Sequence, residues 1–299
     1  MKVTYDRYPE LEQFLNTFVE FTVTSLAVKS IILFGGITLD DFSKRYSEID
    51  VVVVLEKGLW KEDFDTLDEI ISKIGQLNKE FAQIFTAYFV PLTMLENPRI
   101  IYNDLEGIIV RNLNQIIIDQ YPLSLIDDFV IQKKGEVLYG ENIIDKFPIP
   151  PLNCFWIQFV EDLSIIEAIA KEYPFQHSDS PNYNQATNWI LYFSRMLYSI
   201  TNNDILGKLK GAYWFSNEYY GALGDFVTEV ASCRQKNISL SSLIGVVENS
   251  RKLLLFFLEK AFELKGVKIP NLNSLVKYED NVANFSRVFM ELRNFVNDV

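Results

Sequence analysis

Histidine is almost missing from this chain: His177 is the only one in 299 residues. Chemistry that needs a pair of histidines, as base or as metal ligands, is excluded. Cysteine is nearly as scarce. Cys154 and Cys233 form no disulfide framework and no zinc spacing, and so few cysteines in a chain of this size fit a reducing compartment. No apolar run approaches the ~20 residues that cross a bilayer. The opening MKVTYDRYPE has no apolar signal region, so a cytoplasmic location and no membrane partner are expected. Positive charge is the minority sign, with 28 Lys and Arg against 40 Asp and Glu, a net charge of −12. A nucleic acid is therefore not the expected partner, because phosphate contacts need clustered Lys and Arg. The acidity is compatible with a cationic small molecule, although solubility alone accounts for most of it. What the chain does have is hydrophobic mass, 48% of residues with 14% aromatic. That predicts a substantial core and no disorder, in two domains or one large one.

The most informative stretch is Ser30 to Leu55, SIILFGGITLDDFSKRYSEIDVVVVL. An apolar run, Ile31 to Phe34, leads into Gly35-Gly36. A polar spacer follows, in which Thr38 to Phe42 is a possible helix start. Glu48 and Asp50 then flank Ile49 and open a second apolar run, Val51 to Leu55. Both runs are short, rich in β-branched residues and bounded by glycine or charge, which fits buried strands. Residues two apart on a strand share a face. Glu48 and Asp50 thus set two carboxylates side by side, and such a pair repels unless a cation lies between. Oxygen ligands beside a glycine turn that can approach phosphates suit Mg²⁺ with a nucleoside triphosphate. The plainer reading is a buried strand pair with charged ends.

The order strand, Gly-Gly, spacer, Ser47, Glu48-Ile49-Asp50 resembles the nucleotidyltransferase superfamily, the fold of DNA polymerase β. The longer match GGITLDDF…SEIDVVVV is similar to its streptomycin/spectinomycin adenylyltransferase branch, with Glu48 where that branch usually has Asp. The resemblance implies an α/β N-terminal nucleotidyltransferase domain, a mixed sheet with helices, followed by an all-α helical-bundle domain. It also implies ATP as co-substrate, Mg²⁺ held by Glu48 and Asp50 as the catalytic carboxylates, and nucleotide contacts from Gly35, Gly36 and Ser47. In the superfamily a third carboxylate, often the general base, sits on a later strand. Here that strand reads QIFTAYFVPL, Gln83 to Leu92, and Thr86 falls at the acidic position. Thr neither deprotonates a hydroxyl at neutral pH nor ligates a divalent ion strongly.

Elsewhere in the first half, Tyr8 to Val28 reads as a helix with Pro9 at its start and an apolar stripe. Lys61 to Phe81 reads as a second amphipathic helix. Leu105 to Leu113 reads as a strand or strand pair around Gly107, with Asp104 and Glu106 at its start. Leu123 to Gly140 reads as a helix ending at Gly135, then a strand, Val137 to Tyr139. The proline cluster Phe147 to Pro151 is the natural boundary, giving domains 1–147 and 152–299. Beyond it, helices are expected over Asn153–Lys171, Tyr183–Thr201, Asn203–Tyr213, Glu218–Arg234, Ser239–Leu264 and Tyr278–Asn297, in a bundle with short loops.

The segment NWILYFSRMLY is similar to the family helix that carries Ser-Arg, which makes Arg195 a candidate nucleotide contact. In the family a Lys shortly before Ala-x-Trp reaches ATP phosphates. That implies Lys208 in GKLKGAYW, with Lys210 as the alternative, and such a charge offsets the transition state's. Family members that modify aminoglycosides hold the cationic substrate with acidic residues just before this helix. The corresponding positions here are Asp179, Asn184 and Asn188, which with Thr86 are the candidate substrate residues; amides dominate where carboxylates are expected. The resemblance thus implies transfer of AMP from ATP to a hydroxyl of a small molecule, an aminoglycoside-type antibiotic by default, in a cleft between the domains of a monomer or weak dimer. With Glu48 and Thr86 in place, the second reading is a nucleotide-binding regulatory or interaction protein on the same fold. Protein AMPylation, as in the superfamily's antitoxins, is a third, but those are usually short and lack the helical domain.

Overall fold

A computed structural model describes residues 8–59, 63–96, 107–111, 115–119, 122–149 and 181–238, with scattered helical residues between 249 and 260. The chain forms two compact units, Met1–Pro150 and Pro151–Val299.

The first unit begins with α1 (Pro9–Ser25), whose start has the proline and the early acids, Glu10 and Glu12, that suit a helix N-terminus. Leu11, Phe14, Leu15 and Phe18 recur at helical spacing and are buried. Strands β1 (Val28–Phe34) and β2 (Ile49–Leu55) follow and pair antiparallel. Strand β3 (Phe85–Pro91) then lies parallel to β2. A parallel pair needs a crossover, supplied by α2 (Asp63–Leu77) and α3 (Lys79–Ala82). The sequence predicts one helix here. The structure has two, because the Asn78 side chain accepts hydrogen bonds from the N–H groups of Glu80 and Phe81 and starts a new helix.

Helix α4 (Leu92–Glu96) leads toward β4 (Gly107–Arg111), antiparallel to β3, and β5 (Gln115–Asp119), antiparallel to β4. Gly107 opens β4 rather than sitting between two strands. Helix α5 (Leu125–Lys134) starts with a reciprocal capping box between Ser124 and Asp127 and ends at Gly135. Strand β6 (Glu136–Gly140) closes the sheet against β1. The six-stranded mixed sheet has the order β5-β4-β3-β2-β1-β6.

On one face Ile31, Leu33, Ile49, Val51, Val53, Phe85 and Phe89 pack with the buried residues of α1 and α2. Phe18 meets Phe85 edge-on with ring centroids 4.8 Å apart. The other face carries Ile32, Phe34, Val52 and Val54, also buried, and α5 lies against β1. Burial on both faces explains why β2 reads as an unbroken valine run rather than an alternation.

The second unit, within the described residues, contains α6 (Pro181–Asn202), α7 (Lys208–Glu218) and α8 (Ala222–Gln235), which pack on one another. Leu191, Phe193, Met196, Phe215, Val227 and Val230 form its interior. Helix α7 begins five residues later than the sequence predicts. Asn203 adopts a left-handed φ of 52° where α6 ends, and Gly207 caps the next helix. The expected helices Asn153–Lys171 and Tyr278–Asn297 lie outside the described residues, as does most of Ser239–Leu264.

Candidate functional site at the mouths of β1, β2 and β3

The end of β1 and the starts of β2 and β3 fall at one edge of the sheet, because β1 runs against the other two. Gly35 leaves β1 at φ 79°. A methyl group on Gly35 would lie 2.4 Å from Asp50 Oδ2. Glycine is therefore required twice, by the backbone angle and by the carboxylate resting on its Cα. The chain from Gly35 to Ser47 is a series of turns, not the helix start expected at Thr38–Phe42. Leu39 N–H donates to Gly35 O (3.2 Å) and Asp41 N–H to Gly36 O (2.8 Å). Asp40 has a φ of 56°, which a helix cannot continue.

Ser47 is buried and holds this loop closed. Its Oγ accepts from Ser43 N–H at 2.9 Å and donates to Asp41 O at 3.2 Å. Ile37, Leu39 and Tyr46 anchor the same loop in the interior. Ile49, first in β2, is fully buried in the α1 face. Asp50, next along, therefore points to the other face, half-buried, and Glu48 stands exposed one residue before the strand.

Register across the sheet defines what surrounds Asp50. Phe34 pairs with Asp50, Asp50 with Thr86, Thr86 with Arg111, and Arg111 with Gln115. Paired residues share a face, so Phe34, Asp50 and Thr86 form one row with a single carboxylate in it. Thr86 is fully buried, and its Oγ1 has no hydrogen-bond partner among the described residues. Arg111 escaped the sequence reading because the pairing of β4 is set by long-range topology, not by a local motif.

Of the candidate residues, the structure gathers Gly35, Gly36, Ser47, Asp50 and Thr86, with Glu48 at the rim. No three Asp, Glu, His or Cys side chains gather as a metal cluster among the described residues. Two carboxylates at a strand mouth, one of them seated on a glycine turn, are a donor set that fits a hard divalent cation bound jointly with phosphate oxygens.

In the second unit, Arg195 is nearly buried, and its guanidinium carbon lies 5.3 Å from the centre of the Tyr192 ring. Helix α7 crosses directly over it: a methyl group on Gly211 would come within 2.9 Å of Arg195 Cα. Lys208 is the first residue of α7, one turn before that crossing, half-buried, and Lys210 is exposed. Asn188 Oδ1 accepts a 2.8 Å hydrogen bond from Nη1 of Arg234, which is buried in α8. That structural role for Asn188 was not foreseen. Nearby, Tyr198 Oη faces Asp204 Oδ2 at 3.5 Å; burial, then the Asp204 charge, raise the phenol above its ordinary pKa. Asp179 and the side chain of Asn184 lie outside the described residues.

The sequence model of the nucleotidyltransferase domain family matches residues 11–110, which span α1 to β4 and contain the whole strand-mouth site. Among solved structures, the chain is similar to a spectinomycin adenyltransferase AAD(9) from Enterococcus faecialis crystallised with ATP and spectinomycin. The TM-score is 0.57 at 14% identity, covering 86% of this chain and 99% of that one. No curated protein matches the chain. Residues 11–110 thus match the nucleotidyltransferase domain family. The chain's fold, a mixed sheet with helices followed by a helical region, is similar to that of this spectinomycin adenyltransferase.

Proposed function

We propose that the protein moves AMP from ATP to an oxygen of a small-molecule acceptor, with Mg²⁺ as cofactor. The observation that carries this reading is the Asp50 carboxylate seated on Gly35 at the mouth of β2, inside the matched nucleotidyltransferase domain. Asp50 and Glu48 would hold Mg²⁺, which when bound neutralises triphosphate charge. The turn after β1, kept in shape by Ser47, would let Gly35 and Gly36 approach the phosphates closely. Arg195 and Lys208 are the proposed cations of the helical unit for the triphosphate. In the reaction an acceptor oxygen attacks the α-phosphorus, the bond to the bridging oxygen of the β-phosphate breaks, and pyrophosphate leaves with the electron pair.

The acceptor suggested by the resemblance, and by the spectinomycin bound to the similar structure, is an oxygen of an aminoglycoside-type antibiotic. The polycation-binding carboxylates expected for that acceptor are mostly amides here, so the screen begins with such antibiotics but does not end there. No described helix is long and apolar enough to cross a membrane, in keeping with a small-molecule reaction away from lipid.

The test is pyrophosphate release from ATP and Mg²⁺ across an acceptor panel. Asp50→Asn is expected to lower the rate at least 100-fold, the scale of removing one preorganised electrostatic group. A rate unaffected by Asp50→Asn would refute the assigned site. A second reading, nucleotide binding without transfer, is favoured by one observation: the residue paired with Asp50 on β3 is Thr86, where the resemblance implies a carboxylate.

A further inference from the structure

Asn188, Tyr192 and Arg195 recur at helical spacing on α6, so they share one face of that helix. Asn188 and Tyr192 are each partly exposed there, whereas Arg195 is nearly buried. Two guanidinium groups meet this face. That of Arg195 has its carbon 5.3 Å from the centre of the Tyr192 ring. That of Arg234, 2% exposed on α8, donates from Nη1 to Asn188 Oδ1 at 2.8 Å. A guanidinium carries N–H donors and no acceptor, so only the amide oxygen of Asn188 can face it. The amide is planar, and its Nδ2 protons therefore point away from Arg234. On that side Asn188 presents a pair of donors, not an acceptor. An ammonium group brings only donors of its own, and its charge has the same sign as the two guanidiniums, so it is opposed on both counts.

We propose that Arg234 is a positioning residue that sets acceptor choice through Asn188. It fixes the amide with its donors turned away from α8, so the acceptor group recognised there is an uncharged oxygen, a hydroxyl, ether or carbonyl, and not an ammonium. This inference rests on the transferase reading above and on the place of Asn188 among the acceptor residues. It narrows the acceptor class to an oxygen-rich sugar or cyclitol, with a hydroxyl where a polycationic aminoglycoside has an amine. Arg234 itself does not touch the acceptor; its effect passes through the orientation of one amide.

The test uses the full chain with ATP and Mg²⁺ and acceptors paired to differ by one hydroxyl against one amine. The pairs are kanamycin A with kanamycin B and paromomycin with neomycin, beside spectinomycin. In wild type the hydroxyl member of at least one pair is expected to have a kcat/KM about tenfold or more above that of its amine partner. Asn188→Ala is expected to lower kcat/KM for the hydroxyl member about tenfold and to leave the amine member within about twofold, so the preference collapses. Arg234→Met, which keeps much of the bulk and removes the donors, lets the amide turn over. It is expected to collapse the same preference while KM for ATP stays within about twofold. Arg234→Lys, which still donates and cannot accept, is expected to keep most of the preference. The Asn188→Ala/Arg234→Met double variant is expected to match Asn188→Ala alone, because one residue acts through the other.

Thermal melting of each variant reports its folding, and Asn188→Ala with Arg234→Lys decides the matter where Arg234→Met does not fold. A merely structural Arg234 would lower the melting temperature of Arg234→Met without moving the ratio between paired acceptors, and would overturn the proposal. So would an unmoved ratio in Asn188→Ala, or a KM for ATP that rises in Arg234→Met while the ratio stands. Amine members that react with wild type as fast as their hydroxyl partners overturn it too, as does ATP that binds while no acceptor reacts. Each of these outcomes leaves the Mg²⁺-dependent nucleotide site standing. Failure to bind ATP with Mg²⁺ at all defeats both readings.

Discussion

The helices of the two units and the central strand β3 bury hydroxyl groups in opposite ways. In the helical unit Ser194 and Ser199 are buried on α6, and each bonds the carbonyl four residues back, Ile190 O at 3.2 Å and Arg195 O at 3.1 Å. Thr22 does the same on α1, with Phe18 O at 2.7 Å. A helix leaves its own carbonyls within reach of a short hydroxyl, so burying one costs little. Thr86 sits on a central strand whose backbone groups face β2 and β4. It has no such local partner, and its hydroxyl is left orphaned. A buried serine on a helix thus keeps its hydrogen bond, whereas the buried threonine in mid-sheet carries an unmet one. Leaving such a group unmet costs about 1–3 kcal/mol in the free protein.

The strongest break of the sheet unit comes from its core. Phe85 fills the α1 face next to Thr86 and touches Phe14 and Phe18. Phe85→Ala is expected to destabilise this unit by about 3–5 kcal/mol in urea unfolding. Gly35→Ala comes next. It places a methyl 2.4 Å from Asp50 Oδ2 at a positive φ and is expected to cost about 2 kcal/mol, with ATP binding lost. Thr86→Val sharpens the contrast by moving the other way: removing the orphan hydroxyl is expected to stabilise the free protein by about 1 kcal/mol. Its helical counterpart, Ser194→Ala, is expected to stay within roughly 0.5 kcal/mol of wild type, because its bond is local.

The smallest effect concerns pH. Tyr198 titrates above its unfolded value because burial and Asp204 disfavour the phenolate. Its contribution is therefore complete below about pH 10 and lost as pH rises through the folded pKa. Tyr198→Phe should flatten the alkaline end of the stability curve for the helical unit.

Much of the sheet was legible because its information is local. The β-branched runs at Ile31 and Val51, the Gly-Gly at the strand end and the capping-box helix before Gly135 each declare themselves within a few residues. What was not legible depends on contacts distant in sequence or on single backbone choices. The spacer reads as a helix start at Thr38–Phe42, but Asp40 turns left-handed and Ser47 ties the loop back on itself. Asn78 splits one amphipathic stripe into two helices. Asn188 reads as a candidate substrate residue, and its side chain accepts from Arg234, 46 residues later. Thr86 was visible in sequence as a departure from the acidic position. That its hydroxyl is buried without a partner, and that Arg111 is its neighbour, required the register of three strands.

The account stands on the carboxylates at the mouth of β2 forming a metal-dependent nucleotide site. Its most direct test is calorimetric titration of ATP with and without Mg²⁺, on wild type and on the Glu48→Ala/Asp50→Ala double variant. The prediction is Mg²⁺-dependent binding to wild type and at least a 100-fold weaker interaction in the double variant, with both proteins melting as folded chains. Equal binding to the two proteins, or none to either, would contradict it.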